Sequence, residues 1–152
     1  MRFERFAALN NYWIGLDKLS RLTMHSKARL EFKFHSDVDD VNHTIWFKDF
    51  QVRGRNENFR NLFTGNSSAE AHFSQYQSGK PFSDDSECAV RYHSPNWYNA
   101  CYRFQWFIKL VDEMFSTCDD ICKEIYSKVY MYSDGDYTWH PIKSLLVKMY
   151  FD

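Results

Sequence analysis

The residues with the most reactive side chains are four cysteines, Cys88, Cys101, Cys118 and Cys122. An even number permits two disulfides without fixing any pairing. Cys88 and Cys101 stand 13 positions apart around an aromatic, turn-rich stretch. Bridging a loop of that size would stabilise a fold by about 3 kcal/mol in the chain-entropy treatment. Cys118 and Cys122 flank Asp119-Asp120-Ile121. On a helix their thiols lie one turn apart, poorly set for a bond between them. In irregular backbone they can bridge. As a metal pair they are only half of a zinc site, and no His-x-His partner accompanies them.

Six histidines, His25, His35, His43, His72, His93 and His140, are scattered along the chain. None falls in an HExxH arrangement, and there is no Gly-x-Ser-x-Gly elbow, phosphate-binding loop or dinucleotide fingerprint. A histidine outside such a pattern is usually a surface or a satisfied core residue. The acid pairs Asp39-Asp40, Asp84-Asp85 and Asp119-Asp120 remain. Calcium takes about six to eight oxygen ligands, so a lone acid pair reads first as a solvated turn. These patterns specify no catalysis.

The totals narrow the class. The 152 residues fit one domain and are enough to bury a core. Aromatic residues make up 19 % of the chain, which favours strands and interfaces and argues against disorder. With 19 basic and 20 acidic residues, there is no basic footprint for nucleic acid. No apolar run has the length of a membrane span. The start, Met-Arg-Phe-Glu-Arg-Phe, lacks the apolar region of a signal peptide. Two sequons, Asn42-His43-Thr44 and Asn66-Ser67-Ser68, are glycosylation acceptors if the protein is secreted.

The elements that must position these groups follow from periodicity. Ile14, Leu16, Leu19 and Leu22 give a short helical stripe, one or two turns long. Leu30 to Phe34 alternates apolar and polar, a half-buried strand, and Ser36 to Asp40 reads as a turn. Strand character returns at Thr44–Lys48 and again at Phe50–Val52, before a polar bend over 53–58. Phe59–Phe63 is another short strand, and residues 64–80 form a polar loop of a length that is usually functional or pinned by cross-links. Helical spacing recurs between Phe104 and Tyr132, in one or two helices. Ser133 to Asp136 is a turn, and a strand over Leu145–Tyr150 closes the chain.

Several of these stretches resemble the fibrinogen C-terminal domain family. Tyr12-Trp13-Ile14-Gly15 and the following Leu16 to Thr23 resemble its Phe/Tyr-Trp-Leu-Gly segment and Lys-Ile-His-x-Leu-Thr-like helix. Phe50-Gln51-Val52 with the residues to Arg60 is similar to its Phe-x-Val stretch, and Gly79-Lys80-Pro81-Phe82-Ser83 to its Gly-x-Pro/Lys-Phe-Ser. Cys88-Ala89 and Trp97-Tyr98-Asn99-Ala100-Cys101 resemble Asn-Cys-Ala and Trp-Trp-Tyr-x-x-Cys. Lys143 to Met149 resembles the closing Lys-x-x-Glu-Met-Lys-Ile.

The resemblance implies an extracellular α+β domain, a twisted antiparallel sheet with short helices and a loop-rich, disulfide-linked ligand region. It implies the Cys88–Cys101 disulfide and a binding rather than catalytic role, so the expectation is a protein that is not an enzyme. Ficolins and tachylectins of this family bind acetylated sugars, whereas angiopoietins and fibrinogen bind protein partners. The implied partner is a glycan or an extracellular protein or receptor. The alternatives are a protein-interaction domain without lectin activity and a degenerate fragment without binding. A third reading is an intracellular protein with Cys118 and Cys122 as a redox or metal pair. The implied ligand residues are Ala100 and the ring-bearing Tyr92, His93, Trp97, Tyr98, Tyr102 and Trp139, whose rings suit sugar faces and protein interfaces alike. The plainer reading of Trp97 and Tyr98 is core, packed on the disulfide.

The departures carry expectations of their own. Family domains begin with a further subdomain ahead of the Trp-Leu-Gly segment. The resemblance therefore implies a single partial domain over 1–152, with any homo-oligomer formed through an upstream region. Asp84-Asp85-Ser86-Glu87 stands where the family has a longer calcium loop, so Asp84 and Asp85 are weak metal candidates and no cofactor is expected. Tyr102-Arg103-Phe104-Gln105-Trp106 replaces the Asn-Leu-Asn-Gly beside the family's pocket, which counts against acetyl-sugar recognition. The Ala100–Cys101 peptide occupies a position that is often cis in the family.

Overall fold

A computed structural model describes residues 14–36, 39–63, 76–92, 95–101, 131–133, 137–139 and 142–151; for 131–143 only the backbone strands are described. The elements run α1 (Leu16–Met24), β1 (Ala28–Ser36), β2 (Asn42–Val52), a 3-10 turn (Arg55–Glu57), β3 (Asn61–Phe63), β4 (Phe82–Ser83), α2 (Glu87–Tyr92), β5 (Asn96–Trp97), β6 (Met131–Ser133), β7 (Tyr137–Trp139) and β8 (Ile142–Phe151). This is the α+β class that the resemblance implies. An antiparallel sheet has the order β3-β2-β1-β8, and β4-β5 and β6-β7 form two small ribbons.

Alternation builds the sheet. β1 buries Ala28, Leu30, Phe32, Phe34 and Ser36, and turns Arg29, Glu31, Lys33 and His35 to the more open face. Such a period of two is what a sheet with one solvated face requires. Phe32 pairs with Ile45 on one side and Val147 on the other. On the open face, Glu31 lies between Arg29 at 3.6 Å and Lys33 at 3.5 Å.

A bulge keeps β2 in phase. Ala28 faces Phe50, yet Leu30 faces Phe47, so two steps on β1 match three on β2. Asp49 lies there with φ 56°, a left-handed conformation that Asp tolerates better than most residues. Buried positions shift from odd, Ile45 and Phe47, to even, Phe50 and Val52. Without that shift, the second half of β2 would turn its apolar residues to the other face.

The core is aromatic. The Phe47 ring meets Phe63 edge-on at 4.2 Å and Phe32 at 5.4 Å, and Phe50 lies 5.1 Å from Phe63. Burying each such ring contributes about 1.5–3 kcal/mol. Helix α1 adds Leu16 and Leu19 to this core. It is tied to β2 by buried polar groups. The Thr23 hydroxyl donates to the Leu19 carbonyl at 2.9 Å and accepts the Val52 N–H at 2.9 Å. The Gln51 amide donates to the carbonyls of Thr23 and Met24, each at 3.2 Å.

Sequence expectation and structure differ in several places. Helix α1 is nine residues long and runs to Met24, past the one or two turns expected. The two strand segments over 44–52 are one strand, because the bulge carries the ladder through Asp49. The strand expected over Phe59–Phe63 begins only at Asn61, since Asn58 and Phe59 are left-handed, with φ of 49° and 51°. The stretch between the two cysteines is not all loop: it holds α2. The helical spacing over 104–130 and the Cys118/Cys122 pair lie outside the described residues; Met131 and Tyr132, at its end, are strand. No helix among the described residues is long and apolar enough to cross a membrane.

Candidate functional site

The region between the cysteines is held to the sheet through a tight turn. Gly54 accepts backbone N–H groups from Glu57 at 3.0 Å and Phe59 at 3.1 Å. The left-handed pair Asn58-Phe59 then turns two carbonyls away from the sheet. The Asn58 carbonyl accepts the Phe82 N–H at 2.8 Å, and the Phe59 carbonyl accepts the Trp97 indole N–H at 2.8 Å. Phe82 and Trp97 are paired residues of the β4-β5 ribbon, with rings edge-to-face at 5.3 Å. Gln77, fully buried, donates its amide to the Trp97 carbonyl at 2.8 Å. The Arg60 guanidinium donates to the Gly79 carbonyl on the same side.

Serines start α2. The Ser83 hydroxyl accepts the Ser86 N–H at 3.0 Å, and the Ser86 hydroxyl accepts the Ala89 N–H at 3.2 Å. Capping of this kind satisfies amides that a helix start leaves open. The helix delivers Cys88 to Cys101, and the two form the disulfide that the resemblance implies, with Cα atoms 5.5 Å apart. The Ala100–Cys101 peptide is cis, and Ala100 is exposed with φ 52°. Tyr76 and Asn99 brace this corner. The Asn99 amide donates to the Tyr76 carbonyl at 2.7 Å, and the Tyr76 hydroxyl donates to the Ala100 carbonyl at 3.3 Å.

The candidate residues separate on this geometry. Trp97 has no exposed surface and belongs to the core, as its plainer reading has it. Tyr98 is half-buried and Ala100 exposed at the disulfide corner. Tyr92 ends α2, half-buried, with the Arg91 guanidinium 5.7 Å from its ring centre. Trp139 lies on β7, paired with Met131. His93, Tyr102 and Asn66 lie outside the described residues. Asn42 is exposed at the start of β2, distant in sequence from this corner. Sequence reasoning missed Tyr76, Gln77 and Asn99 as supports. Asn99 was within a recognised motif, but Tyr76 and Gln77 fall in a polar stretch whose pattern carries no signal of burial.

Asp84 and Asp85 do not fit a calcium site. They occupy the short link from β4 to α2, Asp84 half-buried and Asp85 exposed. Among the described residues, no three His, Cys, Asp or Glu side chains gather as a metal site would require. Two carboxylates on a capped link fall well short of the about six to eight oxygens that calcium takes.

The sheet and the disulfide-linked loop are those of a fibrinogen-type globular fold. The profile of the C-terminal globular domain of fibrinogen beta and gamma chains matches residues 3–122, and the chain belongs to that family. Domains of this kind are non-catalytic recognition modules. Solved relatives are similar in fold. The fibrinogen-like globe domain of human ANGPTL2 is 18 % identical, with TM-score 0.66, 95 % of this chain and 68 % of that one being covered. The same domain of human ANGPTL6 is 15 % identical at TM-score 0.61, over 91 % of this chain and 63 % of that one. Lamprey fibrin D-dimer, complexed with the peptide Gly-His-Arg-Pro-amide, is 15 % identical at TM-score 0.63, over 91 % of this chain and 50 % of that one.

Proposed function

We propose that this chain is an extracellular recognition module that binds a protein or peptide ligand at the corner formed by Tyr92, Tyr98 and Ala100. The observation that carries the choice of ligand is the burial of Trp97. A sugar site of the lectin kind needs an open ring face, and the indole is the largest aromatic in this loop. With that ring inside, the disulfide corner offers half-buried Tyr98 and exposed Ala100, and α2 ends in the Arg91-Tyr92 pair. Tyrosine and arginine are among the residues that protein interfaces favour. Lamprey fibrin, in the same fold, takes up a short peptide. The Cys88–Cys101 bond supports an oxidising compartment, where such bonds persist.

The test is a peptide-display selection on disulfide-intact protein, counter-selected on the Ala100→Asp variant, beside an array of acetylated glycans. Peptides that bind the wild type and lose affinity for the variant uphold the reading. Glycan binding without peptide binding would replace it with the lectin reading. Silence in both arms from folded protein would leave the degenerate-fragment reading.

A further inference from the structure

We propose that Asn42 is an N-glycosylation site, built into the far end of β2. The inference rests on the extracellular reading above, because only a chain entering the secretory pathway meets the transferase.

Asn42-His43-Thr44 is an acceptor sequon. A sequon alone says little, since such triplets arise by chance. The structure adds three observations. First, Asn42 and Thr44 are both exposed, with His43 between them on the other face of the strand. Residues two apart on a strand share a face, so amide and hydroxyl are presented together. Second, the amide is already oriented. Its side-chain amide lies 3.0 Å from His35 Nδ1. His35 is held in turn by Asp40, its Nε2 lying 2.7 Å from Oδ1. Third, the position is remote from the ligand corner. At about 3.3 Å per residue, the run of β2 from Asn42 to Val52 spans about 30 Å. The Phe59–Trp97 anchor lies beyond the Val52 end, where Arg53 pairs with Arg60.

The donor is an oligosaccharide linked to a lipid through pyrophosphate. Asn42 Nδ2 forms a bond to C1 of the first sugar, and the bond from C1 to the pyrophosphate oxygen breaks. The electron pair leaves with the lipid pyrophosphate, and the amide gives up one proton. A glycan there shields the β1-β2 hairpin end and leaves the opposite end of the sheet open for a ligand.

The experiment expresses the full chain behind a signal peptide in mammalian cells, with Asn66→Gln in the background to remove the second sequon. Glycans are released enzymatically and the peptides mapped by mass spectrometry. The expected result is one glycan per chain, traced to Asn42 by its conversion to Asp, and lost in both Asn42→Gln and Thr44→Ala. Secreted, disulfide-bonded protein with unmodified Asn42 would overturn the site while leaving the extracellular reading intact. Glycosylated protein retained in the endoplasmic reticulum with free Cys88 and Cys101 thiols would uphold the site and count against the module reading. A glycan that survives in Thr44→Ala would overturn the sequon as its cause.

Discussion

The indole N–H of Trp97 donates to the carbonyl of Phe59, 38 residues earlier, across 2.8 Å. That bond joins the disulfide region to the turn that leaves β2, and its donor has no exposed surface. Its acceptor is available only because Asn58 and Phe59 are left-handed. Trp97 therefore acts as the fastener of the candidate site and not as its contact surface.

Trp97→Phe should lower stability by about 2–4 kcal/mol, combining the lost ring volume with a carbonyl left without its donor. Urea unfolding of oxidised protein at constant pH measures this. A variant of unchanged stability but weakened ligand binding would mean that the indole works as a contact after all.

The disulfide should matter through the unfolded chain. Replacing both Cys88 and Cys101 with Ser frees a loop of 13 residues, for an expected loss of about 3 kcal/mol. Reduction of wild-type protein should give the same shift in denaturation midpoint. Replacing Cys88 alone tests the pairing: it should leave Cys101 free to react with a thiol reagent.

Thr23 is a buried relay between α1 and β2. Thr23→Val keeps its shape but removes the oxygen that accepts the Val52 N–H at 2.9 Å. A buried donor without a partner costs about 1–3 kcal/mol. Thr23→Ser retains the oxygen and should recover most of that loss, so paired unfolding curves isolate the hydrogen bond from the packing.

Much of this fold was legible because it depends on patterns that sequence carries directly. The alternation in Leu30–Phe34 gives β1, and the stripe Leu16–Leu19 gives the buried side of α1. The order of the Gly-Lys-Pro-Phe-Ser and Trp-Tyr-Asn-Ala-Cys segments gave the family and with it the disulfide. What stayed hidden depends on single backbone angles. Asp49 looks like an ordinary polar residue between two strands, yet its φ of 56° is what makes them one. Phe59 looks like the first residue of a strand and is instead the left-handed end of a turn. The burial of Gln77 follows from the Trp97 carbonyl, a partner 20 residues away. Side chains in the candidate site were readable by type, but which of them face outward is decided by such long-range hydrogen bonds.

Gly79 gives a clean conformational test. Its φ is +76°, and a Cβ added there meets nothing within 4 Å. Gly79→Ala should therefore cost only the left-handed backbone penalty, about 1–2 kcal/mol. Gly54→Ala differs. Its φ is −72°, and the added Cβ lies 3.1 Å from Asn56 Oδ1, the movable end of an exposed side chain. Its thermal midpoint should stay close to that of the wild type. Equal losses for the two variants would mean that the left-handed backbone at Gly79 carries no penalty of its own.

The braces of the disulfide corner separate stability from recognition. The Tyr76 hydroxyl donates to the Ala100 carbonyl and the Asn99 amide to the Tyr76 carbonyl, and neither side chain is fully buried. Removing one partly exposed bond costs about 0.5–1.5 kcal/mol. Tyr76→Phe and Asn99→Ala should therefore unfold near the wild-type midpoint. Affinity should respond more strongly, because a loosened corner must be ordered again when a ligand binds. For a peptide selected on the wild-type protein, calorimetry should show weaker binding to both variants, with a more unfavourable entropy. The double variant decides whether the two bonds form one support. If they do, the second substitution adds little to the first, whereas independent bonds would give additive losses.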